Sequence, residues 1–122
     1  MRKTREIKVG RVSVGGGASV SVQTMANVNP RDAAAIVEQA RSCAERGCDI
    51  FRITVPDAAA AEVLREVKKS VEMPIVADIH FDYRAALASI EGGADALRIN
   101  PGNIGSRDRV QAVARAAKAK GI

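Results

Sequence analysis

Polar side chains stand in pairs two residues apart at three places: Arg52 and Thr54, Asp78 and His80, Arg98 and Asn100. Each pair closes a short run of apolar and β-branched residues, and spacing by two puts both members on one side of a strand. Polar groups inside apolar strands are costly unless they meet a ligand or each other. Two guanidiniums sharing one pocket suit an anion, and their forked donors match phosphate. The pattern therefore predicts a pocket for a phosphorylated small molecule. Arg52, Thr54, Arg98 and Asn100 are its binding candidates, with Gln23 and Asn27 extending the pattern on an earlier run. His80, the only histidine, stands beside Asp78, and the two are the candidates for moving protons. A competing reading makes Arg52 and Arg98 core arginines paired with Asp78, which then serves only to orient its neighbours.

The elements that must position these residues alternate along the chain. Short apolar runs, Ser19–Met25, Asp49–Val55, Pro74–Ile79 and Ala96–Asn100, read as strands. Between them lie alanine-rich blocks with helical spacing. The first opens at Asn29-Pro30, with Ile36, Val37, Ala40, Cys43 and Ala44 on one face, and stops at Gly47. The second runs from Asp57 to about Val71, the third from Asp82 to Gly92-Gly93, and the fourth from Ser106 to near Gly121. Ile7–Val14 reads as a small hairpin, with Gly15-Gly16-Gly17 as its flexible exit. Glu45-Arg46-Gly47-Cys48-Asp49-Ile50-Phe51-Arg52-Ile53 and Glu91-Gly92-Gly93-Ala94-Asp95-Ala96-Leu97-Arg98-Ile99 share a helix end, a glycine, an aspartate and an arginine-bearing strand. Such recurrence is expected when one βα unit is laid down repeatedly.

The predicted fold class is α/β: a hairpin in residues 1–17, then four βα units in residues 18–122, the N-terminal half of an eight-unit TIM barrel of about 250 residues. Chemistry in such barrels sits at the C-terminal strand ends, where the polar pairs fall. Half a barrel leaves two sheet edges uncovered, so the chain is expected to be a fragment that pairs with itself, aggregates or folds loosely on its own.

Composition narrows the function classes. The 122 residues carry 19 Lys plus Arg against 14 Asp plus Glu, a net charge of +5, with 47% hydrophobic residues, ordinary for a globular domain. Aromatics make up only 2%, too few for a base-stacking nucleic-acid platform. No apolar run reaches the roughly 18 residues of a membrane span, and the basic N-terminus lacks a following apolar stretch, so a cytoplasmic location is expected. Cys43 and Cys48 lack the partners of a metal site, so no metal is assigned to this chain. The Asn100–Ser106 loop reads equally as a phosphate cradle at a helix start or as a plain turn and cap.

Three strings carry a resemblance: Val20-Ser21-Val22-Gln23-Thr24-Met25, Val76-Ala77-Asp78-Ile79-His80-Phe81-Asp82-Tyr83-Arg84, and Leu97-Arg98-Ile99-Asn100-Pro101-Gly102-Asn103-Ile104-Gly105. With Val9-Gly10 and the triple glycine, the chain resembles the N-terminal barrel of the 4-hydroxy-3-methylbut-2-enyl diphosphate synthase family throughout its length. Thr24 stands where that pattern has Ser, and Ala26–Asn29 departs from its polar loop. The resemblance implies an iron-sulfur oxidoreductase of isoprenoid biosynthesis, on the methylerythritol phosphate route. That enzyme opens and dehydrates 2-C-methyl-D-erythritol 2,4-cyclodiphosphate with two electrons from flavodoxin or ferredoxin, passed through a [4Fe-4S] cluster. It further implies that Arg52, Asp78, His80, Arg98 and Asn100 line the diphosphate pocket, and that the whole enzyme is a homodimer. The cluster ligands, three Cys and a Glu of a C-terminal domain, are not matched by Cys43 or Cys48, so this chain alone is expected to bind no cluster and to be inactive. Alternatives are another phosphate-binding barrel of pterin or sugar-phosphate type, or a basic, non-catalytic nucleic-acid or regulatory module.

Overall fold

The computed structural model describes residues 2–122; Met1, at the head of the basic N-terminal segment, lies outside the described residues. Strands β1 (Ile7–Val9) and β2 (Val12–Val14) form an antiparallel hairpin, pairing Ile7 with Val14 and Val9 with Val12. Four parallel strands follow, β3 (Gln23–Met25), β4 (Ile50–Thr54), β5 (Ile75–Ile79) and β6 (Ala96–Ile99), ordered as they occur in the chain. Helices α1 (Ala33–Glu45), α2 (Ala58–Lys68) and α3 (Tyr83–Glu91) connect them, and α4 (Arg107–Lys120) follows β6. Parallel neighbours need such crossovers, which explains why alanine-rich blocks separate the apolar runs.

Each helix begins where a short polar side chain takes over from the strand. Asp32, Asp57 and Asp82 cap α1, α2 and α3, their carboxylates accepting from the backbone N–H of Ala35, Ala60 and Arg84. The start of α1 differs from expectation. Asn29 and Pro30 lie before the helix, where the Asn29 carboxamide accepts from Arg31 N and closes a turn, leaving the cap to Asp32. Helix α2 ends at Lys68, with Val71 beyond it yet buried. The ladder of β3 is shorter than the apolar run that announced it, because Ser19 to Val22 precede the paired residues and Val20 is 96% exposed.

The sheet buries its two faces differently. Phe51, Ile53, Val55, Ile75, Ala77 and Ile79 point to the helices and form the main core with Ile36, Ala60, Leu64, Val67, Ala86 and Ile104. On the other face, Ile50, Val76 and Ala96 at the strand starts meet Val9, Val12 and Val14, so the hairpin covers the lower part of the inner face. Of the triple glycine, Gly15 and Gly16 form a closely packed turn, while a side chain at Gly17 would meet open space. A side chain at Gly15 would stand 2.7 Å from the Arg5 carbonyl, and one at Gly16 2.6 Å from Glu6 Cβ, while Gly16 N donates to Thr4 Oγ1.

Candidate functional site

Strand register sets the inner face in rows. Gln23 is level with Ile50; Met25, Arg52, Val76 and Ala96 form the next row; Thr54, Asp78 and Arg98 form the row nearest the C-terminal strand ends. His80 and Asn100 lie just past the ends of β5 and β6. The hairpin fills the lower rows with apolar side chains, and the upper row is left polar.

Asp78 is the centre of that row. Its side chain is 1% exposed, and three groups converge on it. Arg52 Nη2 donates to Oδ2 at 2.8 Å, Arg98 Nη1 to Oδ1 at 3.2 Å, and His80 Nε2 lies 3.2 Å from Oδ2. Arg98 reaches straight across from the paired position on β6; Arg52 reaches up diagonally from one row below. Burial pushes the Asp78 carboxyl up, but the hydrogen bonds and charges of Arg52 and His80 more than reverse it and hold the group below its ordinary value. Two guanidiniums answer one buried carboxylate, so the cluster keeps surplus positive charge. The Arg52 side chain is 25% exposed, that of Arg98 44% and that of His80 45%, so all three also face outward from the carboxylate that holds them. Arg52 Nε is buried with no hydrogen-bond partner among the described residues.

The remaining candidates divide. Thr54 is level with Asp78. Asn100 spends its side-chain oxygen on Gly102 N at 3.0 Å, and its carbonyl accepts from Asn103 and Ile104, so the following loop is a tight turn anchored by buried Ile104. Ser106 caps α4 without a side-chain hydrogen bond. Gln23 is not brought to the cluster; it opens β3, two rows below Asp78, because pairing begins late in its apolar run. Asn27 instead exchanges hydrogen bonds with Gln39 of α1. Among the described residues, no group of three or more His, Cys, Asp or Glu could hold a metal ion, and Cys48 Sγ is turned to the Ile50 carbonyl at 3.1 Å. A groove of about 700 Å³ between α1 and α2, lined by Val37, Arg41, Glu45 and Glu66 among others, opens away from the cluster on the helix side.

Sequence reasoning passed over two contacts among the loops that follow the strands. Arg31 forms a two-pronged pair with Asp57, at 2.5 and 3.2 Å, tying the loop after β3 to the cap of α2. Arg109 of α4 lies over the Tyr83 ring, 4.9 Å from its centroid. Neither arginine is two residues from a polar neighbour on a strand, so the spacing that exposed the main cluster could not reveal them.

Consecutive parallel βα units with charge gathered at the C-terminal strand ends define a segment of a TIM-barrel protein. A family profile described as the GcpE TIM-barrel domain matches residues 4–122, and the chain belongs to that family. Two curated relatives carry the name 4-hydroxy-3-methylbut-2-en-1-yl diphosphate synthase (flavodoxin). The Symbiobacterium thermophilum protein is 51% identical over 121 residues, 99% of this chain and 33% of its own length. The Clostridium acetobutylicum protein is 54% identical over 120 residues, 98% of this chain and 34% of its own length. The chain thus spans about a third of the relatives it matches. Among solved structures, the carboxyl transferase domain of Rhizobium etli pyruvate carboxylase aligns with 87% of the chain and 22% of its own at a TM-score of 0.61 and 16% identity, a likeness of fold alone.

Proposed function

We propose that this chain is the N-terminal, substrate-binding part of an enzyme that reductively converts 2-C-methyl-D-erythritol 2,4-cyclodiphosphate to 4-hydroxy-3-methylbut-2-enyl diphosphate in the cytoplasm. The observation that carries the proposal is the Arg52–Asp78–Arg98 fan at the strand ends, in a chain about half identical to synthases of that name. Asp78 fixes both guanidiniums before the ligand arrives, so little side-chain freedom is lost when the diphosphate binds. The surplus positive charge attracts the anion, and the exposed parts of both guanidiniums offer it the donors that Asp78 leaves free. His80, hydrogen-bonded to Asp78, is held at the edge of the cluster, where it orients the substrate and can pass a proton. Thr54 and Asn100 complete the binding row.

The name of these relatives includes flavodoxin, and flavodoxin or ferredoxin is the proposed electron donor. A [4Fe-4S] cluster supplies one-electron chemistry when bound. The residues described here do not fit one, since they gather no ligand set, and their part is to bind and orient the diphosphate. The proposed whole enzyme is a homodimer.

The test is Arg98→Ala in the full-length enzyme carrying this segment. Losing a charge-assisted contact of about 1.5–3 kcal/mol raises KM for the cyclic diphosphate roughly 10- to 100-fold. An unchanged KM would remove the diphosphate role from this arginine and from the row it belongs to.

A further inference from the structure

We propose that Arg109 is a positioning residue, clamping the loop after β6 against the start of α3 so that the two loops flanking the anion cluster hold one relative geometry. The inference rests on the anion-binding reading of the Asp78 row. Tyr83 is the first residue of α3, three positions after His80; Asn100 opens the loop that ends at the Ser106 cap of α4. The Arg109 guanidinium joins these two pieces. Its Cζ lies 4.9 Å from the Tyr83 centroid. On the loop side it packs so closely against Gly105 that a Cβ there would lie 2.9 Å from Arg109 Cδ and Nη1. Gly105 also has a φ of +115°, so its lack of a side chain serves both the turn and the approach of the arginine.

Arg109 forms no ion pair among the described residues: the ten salt bridges run between other side chains. Its contact with the ring is therefore not a by-product of holding a nearby carboxylate. The loop it presses on has few other ties. Ile104 anchors it from beneath, and Asn100 organises its own turn. With Ser106 contributing no side-chain cap, the first turn of α4 is fixed largely from the Arg109 side. Arg98 is held by its pairing with Asp78, but Asn100 opens this loop, so whatever holds the loop also sets the position of Asn100 relative to His80 across the cluster.

Amide exchange at residues 100–106 and binding of inorganic pyrophosphate test the clamp in the full-length enzyme carrying this segment and in its variants. Arg109→Met and Tyr83→Leu are each expected to speed exchange at Asn103 and Ile104 and to weaken pyrophosphate binding roughly two- to fivefold, the scale of an exposed cation–π contact. Arg109→Lys keeps a cation over the ring, Tyr83→Phe keeps the ring, and both stay near the parent. The double variant Arg109→Met/Tyr83→Leu is no worse than either single one, since the two groups act as one contact. Exchange in the body of α3 serves as the control for intact folding and stays unchanged. Unaltered loop exchange in Arg109→Met, additive losses in the double variant, or faster exchange with pyrophosphate affinity unmoved would each overturn the positioning role. If the parent enzyme binds no pyrophosphate, the anion-binding reading fails, and loop exchange alone decides whether the clamp exists.

Discussion

At the scale of single residues the decisive group is Asp78. A carboxylate this buried persists in ionised form because Arg52, Arg98 and His80 surround it, and the same three groups are those proposed to meet the ligand. Core ion pairing and the proposed anion binding are therefore one arrangement, with the carboxylate as its fixed back. Since the folded carboxyl titrates below its ordinary value, its stabilising contribution is full above about pH 4 and is lost as pH falls through the depressed value. Asp78→Asn is expected to cost about 1–3 kcal/mol at neutral pH, less than a fully buried pair because both arginines are partly solvated. The gap between the variant and the parent should narrow below about pH 4 in urea titrations. A gap that stays constant down to pH 3 would show that Asp78 is not held ionised by its neighbours. The pairs themselves were legible in the sequence because a spacing of two is a property of one strand. Their joining was not, because it depends on register between strands: Arg52 meets Asp78 only because β4 and β5 pair with Arg52 one row lower. Gln23 lies two rows below Asp78 for the same reason, since the apolar run around it does not show where pairing begins.

At the scale of elements, the repeated glycine-x-aspartate before β4 and β6 has a physical cause. Asp49 Oδ2 accepts from Val22 N just before β3, and Asp95 Oδ2 accepts from Ile75 N at the start of β5, both at 2.8 Å. Each aspartate fastens its own strand to the preceding one at the lower end, which fixes the register that aligns the polar row above. Gly47 and Gly93, with φ of +93° and +96°, turn the chain from helix to strand so the aspartate arrives in place. Asp95 also takes Lys68 Nζ at 2.7 Å in a partly buried setting. Asp95→Ala is thus expected to cost about 1–3 kcal/mol, and Asp49→Ala, whose partner Val22 is exposed, about 0.5–1 kcal/mol. Equal costs in chemical denaturation would count against this ordering. The repeat was readable as a repeat, and alternating helices and strands followed from composition and period. The start of α1 was not, because Asn29-Pro30 satisfies the same cap preferences as Asp32 and only the tertiary setting chooses between them.

At the scale of the whole molecule, the sheet presents its inner face as a shallow wall, apolar below where the hairpin covers it and charged above. Among the described residues, both edges of the four-stranded sheet are unpaired. Val20, Val22 and Met25 are exposed beside β3, and Leu97, Ile99, Val110 and Ala114 line an apolar groove beside β6. Those edges suit the continuation of a barrel, in keeping with a chain spanning about a third of its curated relatives. This segment is proposed to supply the diphosphate-binding wall of a reductive synthase. The most direct measurement is the activity of a chimera in which these 122 residues replace the matching N-terminal third of the Clostridium acetobutylicum synthase. The chimera is expected to convert the cyclic diphosphate with reduced flavodoxin at a rate within about tenfold of the intact relative, and to lose that activity when Arg52 and Arg98 are both changed to alanine. A chimera that folds and carries its cluster yet leaves the cyclic diphosphate unbound and unconverted would contradict the proposal.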